Sequence, residues 1–133
     1  MAAVSLWVAA NALLMLGLAL NVTRHRLNTG QPGYDDVRLD KAIRAHGNNI
    51  EYVPIILLML YLLGQGGFGV VWIHALGATL FVARALHAHG IQVVGKGLPR
   101  SRVAGNLGTW AVMLACAILL LIQFVTSQGQ PQP

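Results

Sequence analysis

The stretch Ile43-Arg44-Ala45-His46-Gly47-Asn48-Asn49-Ile50-Glu51-Tyr52-Val53-Pro54-Ile55-Ile56-Leu57-Leu58-Met59-Leu60-Tyr61-Leu62-Leu63 decides the fold. Its second half is an almost unbroken apolar run, while its first half carries an arginine, a histidine, two asparagines and a glutamate. Read as one helix of about 20 residues, it is long enough to cross a bilayer. Its polar residues then enter the membrane from one side only.

Three further stretches have the same character. No charged side chain occurs from Met1 to Thr23, and Val4 to Val22 forms a first span. The Gly64-Gln65-Gly66-Gly67 break has the chemistry to reverse the chain, and Val70 to Leu86 follows as a third apolar stretch, Val103 to Thr126 as a fourth. The reading is an all-α integral membrane four-helix bundle, one domain over residues 1–133, with helices at about 4–23, 42–64, 70–89 and 102–126. The Gln-, Gly- and Pro-rich tail, residues 127–133, has no apolar face to bury and is expected to be disordered. The first segment lacks a preceding Lys or Arg and a clear small-residue cleavage site, so it is expected to be a retained helix and not a signal peptide.

At 133 residues the chain is 56% hydrophobic and 10% charged, far from the composition of a soluble domain. All nine basic residues and all four acids fall in two windows, 24–51 and 84–102, around the first and third connections. Four crossings put both connections on one side. The excess of Lys and Arg makes that side cytoplasmic and turns the termini outward, to the periplasm if the membrane is a bacterial inner membrane. The net charge of +5 is thus a consequence of topology and not the mark of a nucleic-acid binder. Cys116 is the only cysteine, so no intrachain disulfide and no Cys/His metal cluster is expected.

Depth follows from counting. Glu51 lies twelve residues before Leu63, which at about 1.5 Å per residue puts it roughly 18 Å from the uncharged face. Arg84 lies fourteen residues beyond Val70, roughly 21 Å up by the same rise. An ionised group at the centre of a membrane helix costs about 2.5 to 3.5 kcal/mol on insertion scales, so both side chains are expected to face the bundle or a polar cavity. Arg44, Asn48 and Glu51 are spaced by four and three and share one helix face, with His46 and Asn49 widening the polar sector. Two readings of this stripe stay open. It is either an internal ion pair of Glu51 with Arg44 or Arg84 that fixes register, or the wall of a cavity for a small charged ligand. Six arginines (Arg24, Arg26, Arg44, Arg84, Arg100, Arg102) near one glutamate leave positive donors in excess, which suits an anion. Arg84 and His87 share a face at the end of the third helix, and Arg100, Ser101 and Arg102 open the fourth, where free backbone N–H groups favour an anion. Asn11, His74 and Gln123 are expected to hydrogen-bond between helices, and Ala104 and Gly108 to permit close helix approach.

The run Arg44-Ala45-His46-Gly47-Asn48-Asn49-Ile50-Glu51-Tyr52-Val53-Pro54 resembles the second-helix signature of the MAPEG family, the membrane-associated proteins of eicosanoid and glutathione metabolism. Arg24-His25-Arg26 at the end of the first helix, Arg84-x-x-His87 in the third and Arg100-Ser101 opening the fourth agree with it, as do length and charge topology, over nearly the whole chain. The likeness is greatest to the small bacterial inner-membrane branch. It implies a homotrimer with glutathione, as co-substrate, held at subunit interfaces near the cytoplasmic side, and no metal. It implies a glutathione transferase or peroxidase acting on a lipophilic electrophile or hydroperoxide that arrives from the bilayer. Arg24, Arg44, Asn48, Glu51, Tyr52, Arg84 and His87 match the family's glutathione contacts. Arg100 matches the arginine proposed to act at the thiol, and Ser101 its neighbouring serine. Gly47 and Ile91 depart from the pattern, standing where some enzymatic members carry an Arg and a Tyr. The family also contains a lipid-presenting protein without catalysis, so a non-catalytic lipid- or glutathione-binding protein is the competing expectation. A transporter fits less well, because no inverted repeat or broken helix is present.

Overall fold

The computed structural model describes residues 2–93 and 97–128. Four helices account for almost all of them: α1 (Ala2–Asn28), α2 (Asp36–Gln65), α3 (Val70–Gln92) and α4 (Arg100–Gln128). Each is long and apolar enough to cross a membrane, so the protein is an integral membrane four-helix bundle.

The helices run past the limits of their apolar stretches because charge does not end a helix; capping does. With 27, 30, 23 and 29 residues they measure roughly 35 to 45 Å, against a hydrocarbon core of about 30 Å. The start of α2 is set by Asp35, whose Oδ1 accepts from the Val37 N–H at 3.0 Å. Gly30 and Gly33, both at positive φ, turn the connection ahead of it. Pro99 precedes α4, and its carbonyl accepts the N–H groups of Arg102 and Val103. Ser127, expected in a disordered tail, belongs to α4; residues 129–133 lie outside the described residues.

α3 packs most extensively on α4, and α1 on both α2 and α3. α2 also touches α4, whereas α1 and α4 make no contact among the described residues. The two helices therefore lie on opposite sides of the α2–α3 pair. Ile56, Leu60 and Leu63 of α2, Ile73 and Leu80 of α3, Val112 and Cys116 of α4 and Val4 of α1 form the core of the uncharged half. Leu18, Ala45, Ala88 and Ile91 form a smaller cluster in the charged half. Large apolar residues such as Leu13, Val71 and Leu121 point outward, as expected where lipid and not water is the solvent.

Helices α3 and α4 approach closely at Gly105: a Cβ there would lie 2.5 Å from both the Ala83 carbonyl oxygen and the His87 nitrogen. Of the two small residues expected to serve this purpose, Gly108 does abut the Ala83 Cβ, but Ala104 is exposed. Between α1 and α3, Trp7 Nε1 donates to His74 Nδ1 at 3.2 Å, as expected of an interhelical histidine. Asn11, in contrast, donates to Trp7 O of its own helix at 2.9 Å, and its Oδ1 is buried without a partner among the described residues. Gln123 packs over Gly66 and its Oε1 is buried without a partner.

Candidate functional site: a cationic cleft between the second and fourth helices

Arg84 is wholly buried where α2, α3 and α4 meet. Its guanidinium donates from Nε to Asn49 Oδ1 at 3.1 Å, from Nη2 to Asn48 Oδ1 at 2.9 Å and from Nη1 to Thr109 Oγ1 at 3.5 Å. Its carbon end lies 5.8 Å from the centre of the Tyr52 ring, within cation–π range. All these partners are neutral, and among the described residues neither Arg84 nor Arg44 forms an ion pair with Glu51. The internal ion pair, one of the two readings of the polar stripe, is not formed. Two consecutive asparagines in α2 take its place, since residues about 100° apart on a helix can grip one guanidinium from both sides.

Arg84 fixes what Asn48 can do. With Oδ1 committed to the guanidinium, the amide must turn Nδ2 the other way, where it approaches Glu51 Oε2 at 3.5 Å. Asn48 and Glu51 line a cleft of about 760 Å³ that opens between α2 and α4 at the charged end of the bundle. Its size is that of ordinary small-molecule sites. Arg44, Gly47 and Tyr52 complete the α2 wall; His87 and Ile91 of α3 form the floor; Arg102, Asn106 and Trp110 of α4 stand opposite. Val103, Leu107 and Trp110 also line the cleft, and all three are exposed.

The fourth helix presents this face because of how α3 holds its first turn. His87 Nδ1 lies 3.1 Å from the Arg102 carbonyl oxygen, which only accepts, so Nδ1 carries a proton and donates it to this bond. Gly90 gives the Arg102 backbone room to approach. With Arg102 fixed, the i, i+4, i+8 positions Asn106 and Trp110 follow it toward α2.

Arg44, Asn48, Glu51, Tyr52 and His87 are thus brought together on one cleft, and Arg84 lies behind its wall. Arg100 is exposed and Ser101 half-buried, and neither lines the cleft, since they stand about 200° and about 100° around the helix from Arg102. Arg24 lines a separate hollow at the end of α1. The signal for Arg102, Asn106 and Trp110 was the i, i+4 spacing of α4; Thr109 carried none, being one hydroxyl in an apolar run.

A model of the MAPEG family matches residues 4–122. The chain belongs to the MAPEG family. Among its relatives is the inner membrane protein YecN of Escherichia coli K12, 30% identical over 122 residues that span 89% of this chain and 86% of the relative. The YecN of Escherichia coli O6:H1 matches at the same identity and coverage. The chain is therefore a membrane protein of the glutathione and eicosanoid superfamily, which includes glutathione transferases and peroxidases.

Proposed function

We propose that this MAPEG protein is a glutathione-dependent membrane transferase or peroxidase, with glutathione as co-substrate in the cleft between α2 and α4. The observation that carries this reading is the union of two walls in one cleft. Arg44, Glu51 and Arg102 offer ionic contacts and Asn48 a hydrogen-bonding amide, while Val103, Leu107 and Trp110 open to lipid.

Glutathione has two carboxylates, an ammonium and a thiol. Arg44 binds a carboxylate by charge-assisted hydrogen bonds, and Glu51 accepts the ammonium. A guanidinium at the sulfur favours the thiolate, and each unit by which it lowers the thiol pKa, from a reference near 8.5, corresponds to about 1.4 kcal/mol. Within one subunit that guanidinium is Arg102. Arg100, Ser101 and Arg24 join only across a subunit boundary, as in a homotrimer. With an electrophile, the thiolate sulfur forms a bond to carbon and the leaving group departs with its electron pair. With a hydroperoxide, sulfur takes the terminal oxygen as the O–O bond breaks, releasing an alcohol. A second glutathione then displaces water and gives the disulfide.

The charged end faces the cytoplasm, the source of glutathione, by the excess of Arg and Lys in its connections. An inner-membrane location follows the relative's name.

The test is glutathione-dependent turnover of a lipophilic electrophile by the purified protein, with Arg102→Ala and Arg100→Ala compared. Loss of tenfold or more in Arg102→Ala, with Arg100→Ala within about twofold of wild type, fits a thiolate held inside one subunit; one pKa unit corresponds to tenfold. The reverse pattern assigns the sulfur to Arg100 of a neighbouring subunit. Ile91 favours the second reading, a binding protein without catalysis, because it gives the cleft an aliphatic floor with no hydrogen-bonding group. That reading predicts saturable glutathione binding with no thiolate absorbance in the ultraviolet.

A further inference from the structure

A second polar region lies on the opposite side of the bundle, at the end of α1, and of the residues that line it only Arg24 belongs to the glutathione pattern. Two adjoining hollows of about 310 and 220 Å³ share His25 and Arg38 as a common wall. Arg24 and Tyr34 line the first, Lys41 and Gln92 the second. Three obligate cations thus converge on one concavity, and no carboxylate lines it. Of the nearby acids, Asp35 has turned its carboxylate to the Val37 N–H as the cap of α2.

The frame is held firmly while the cations are left free. Tyr34 Oη and His25 Nδ1 are 2.8 Å apart, which ties the connection to α1. Asn21 Nδ2 donates to Gln92 Oε1 at 2.9 Å, tying α1 to α3. Lys41 Nζ donates to the Val93 carbonyl at 2.7 Å, which uses one of its three N–H groups. The guanidiniums of Arg24 and Arg38 have no hydrogen-bond or ion-pair partner among the described residues.

Arg38 is also placed against local preference. It stands in the first turn of α2, two residues after Asp36, where the helix dipole disfavours a cation. Asp35, Asp36 and Asp40 flank it in the sequence, but it forms no ion pair with them among the described residues and they do not line the hollow, so its charge is available to an anion. Arg24 directly follows the uncharged stretch ending at Thr23, which puts the hollow at headgroup depth and not in hydrocarbon.

From this convergence of Arg24, Arg38 and Lys41 at the membrane surface we infer that the hollow binds a phosphate-bearing anion, the phosphodiester of an anionic phospholipid or free phosphate. Its depth favours the lipid. No residue lines both the hollow and the cleft.

The test is native mass spectrometry of the whole purified protein with phosphatidylglycerol or phosphatidylcholine of the same acyl chains, each with and without excess inorganic phosphate. Each cationic side chain near an anionic surface corresponds to a factor of about five in affinity. Arg38→Gln should therefore lower the phosphatidylglycerol adducts about fivefold and Arg38→Glu roughly 25-fold, with Arg38→Lys close to wild type. Arg24, which the family pattern gives to glutathione, is left unaltered. Helical circular dichroism and glutathione binding should not change in the Arg38 variants, because removing a cation from a first helical turn does not weaken the helix. Adducts that inorganic phosphate does not displace identify the lipid; displacement at low phosphate identifies the free ion. Equal binding of the two lipids, or phosphatidylglycerol binding unchanged in Arg38→Glu, would overturn the site.

Discussion

Arg84 Nη2 and Asn48 Oδ1 lie 2.9 Å apart, and through this bond a side chain with no exposed surface sets the orientation of one that faces the cleft. The same guanidinium reaches Asn49 and Thr109, so it joins α2, α3 and α4 at a single point. Within one subunit, Arg84 thus bears on the cleft through Asn48.

Replacement of Arg84 by Leu should consequently cost both stability and ligand orientation. It removes three interhelical hydrogen bonds, each worth about 0.6 kcal/mol on average between membrane helices, so the loss is roughly 2 kcal/mol. The paired change Asn48→Ala leaves the other two bonds in place and should cost about a third as much, while still weakening glutathione binding. Thermal unfolding in detergent and calorimetric titration with glutathione separate the two effects. Equal destabilisation by both changes would show that Arg84 is not the hub.

The second helix and its polar stripe were legible in the sequence because charge inside an apolar run is expensive and has to be grouped. Spacings of three and four then gave the shared face of Arg44, Asn48 and Glu51. The depth count placed Glu51 and Arg84 at similar heights, but it could not tell that Asn48 and Asn49 would take the guanidinium in place of Glu51. That choice depends on the rotation of α3 relative to α2, which close contacts such as that of Gly105 with Ala83 and His87 decide. For the same reason Arg102, and not Arg100, came to face the cleft: the phase of α4 is set by where Pro99 starts the helix and where His87 holds it. Neither is a property of periodicity along one segment.

A methyl group at Gly105 tests this control of phase. Its Cβ would lie 2.5 Å from the Ala83 carbonyl oxygen and the His87 nitrogen, which are helix backbone and cannot move alone. Gly105→Ala must therefore separate α3 from α4, at a cost of about 1 to 3 kcal/mol, the usual range for overpacking. It should also break the contact of His87 with the Arg102 carbonyl and so weaken glutathione binding. Gly47→Ala provides the control: Gly47 lines the cleft but an added Cβ meets nothing within 4 Å, so the change should not destabilise, and helix propensity should add about 0.5 to 1 kcal/mol.

Tyr34 lies in the connection outside the membrane spans, and partial burial followed by the Asp36 and Asp35 carboxylates raises its pKa above the usual 10.0, against the lowering effect of Arg38. A raised folded pKa means that the protonated phenol is favoured by folding. Its contribution is thus complete below pH 10 and is lost as the pH rises through the folded value. The tyrosinate ultraviolet signal should show one tyrosine titrating later than a free phenol, and the α1–α2 connection should become more open to protease as it ionises. Tyr34→Phe should remove the late titration. If the step persists, it belongs to another tyrosine.

Glu51 separates a structural cluster from a binding site most cleanly. It is exposed in the cleft, and its one hydrogen bond, from Asn48 Nδ2, is long at 3.5 Å. A carboxylate holding the bundle together would be buried and paired, and its loss would cost several kcal/mol. With neither condition met, Glu51→Gln should change stability by no more than about 0.5 kcal/mol, as for an ordinary surface substitution. The same change removes the only negative charge on the cleft wall, and with it the partner of the glutathione ammonium. Charge-assisted hydrogen bonds are worth about 1.5 to 3 kcal/mol, so binding should fall at least tenfold. Calorimetry beside thermal unfolding gives both quantities on one preparation. A variant that binds normally but unfolds early would make the stripe a structural device and remove glutathione from the cleft.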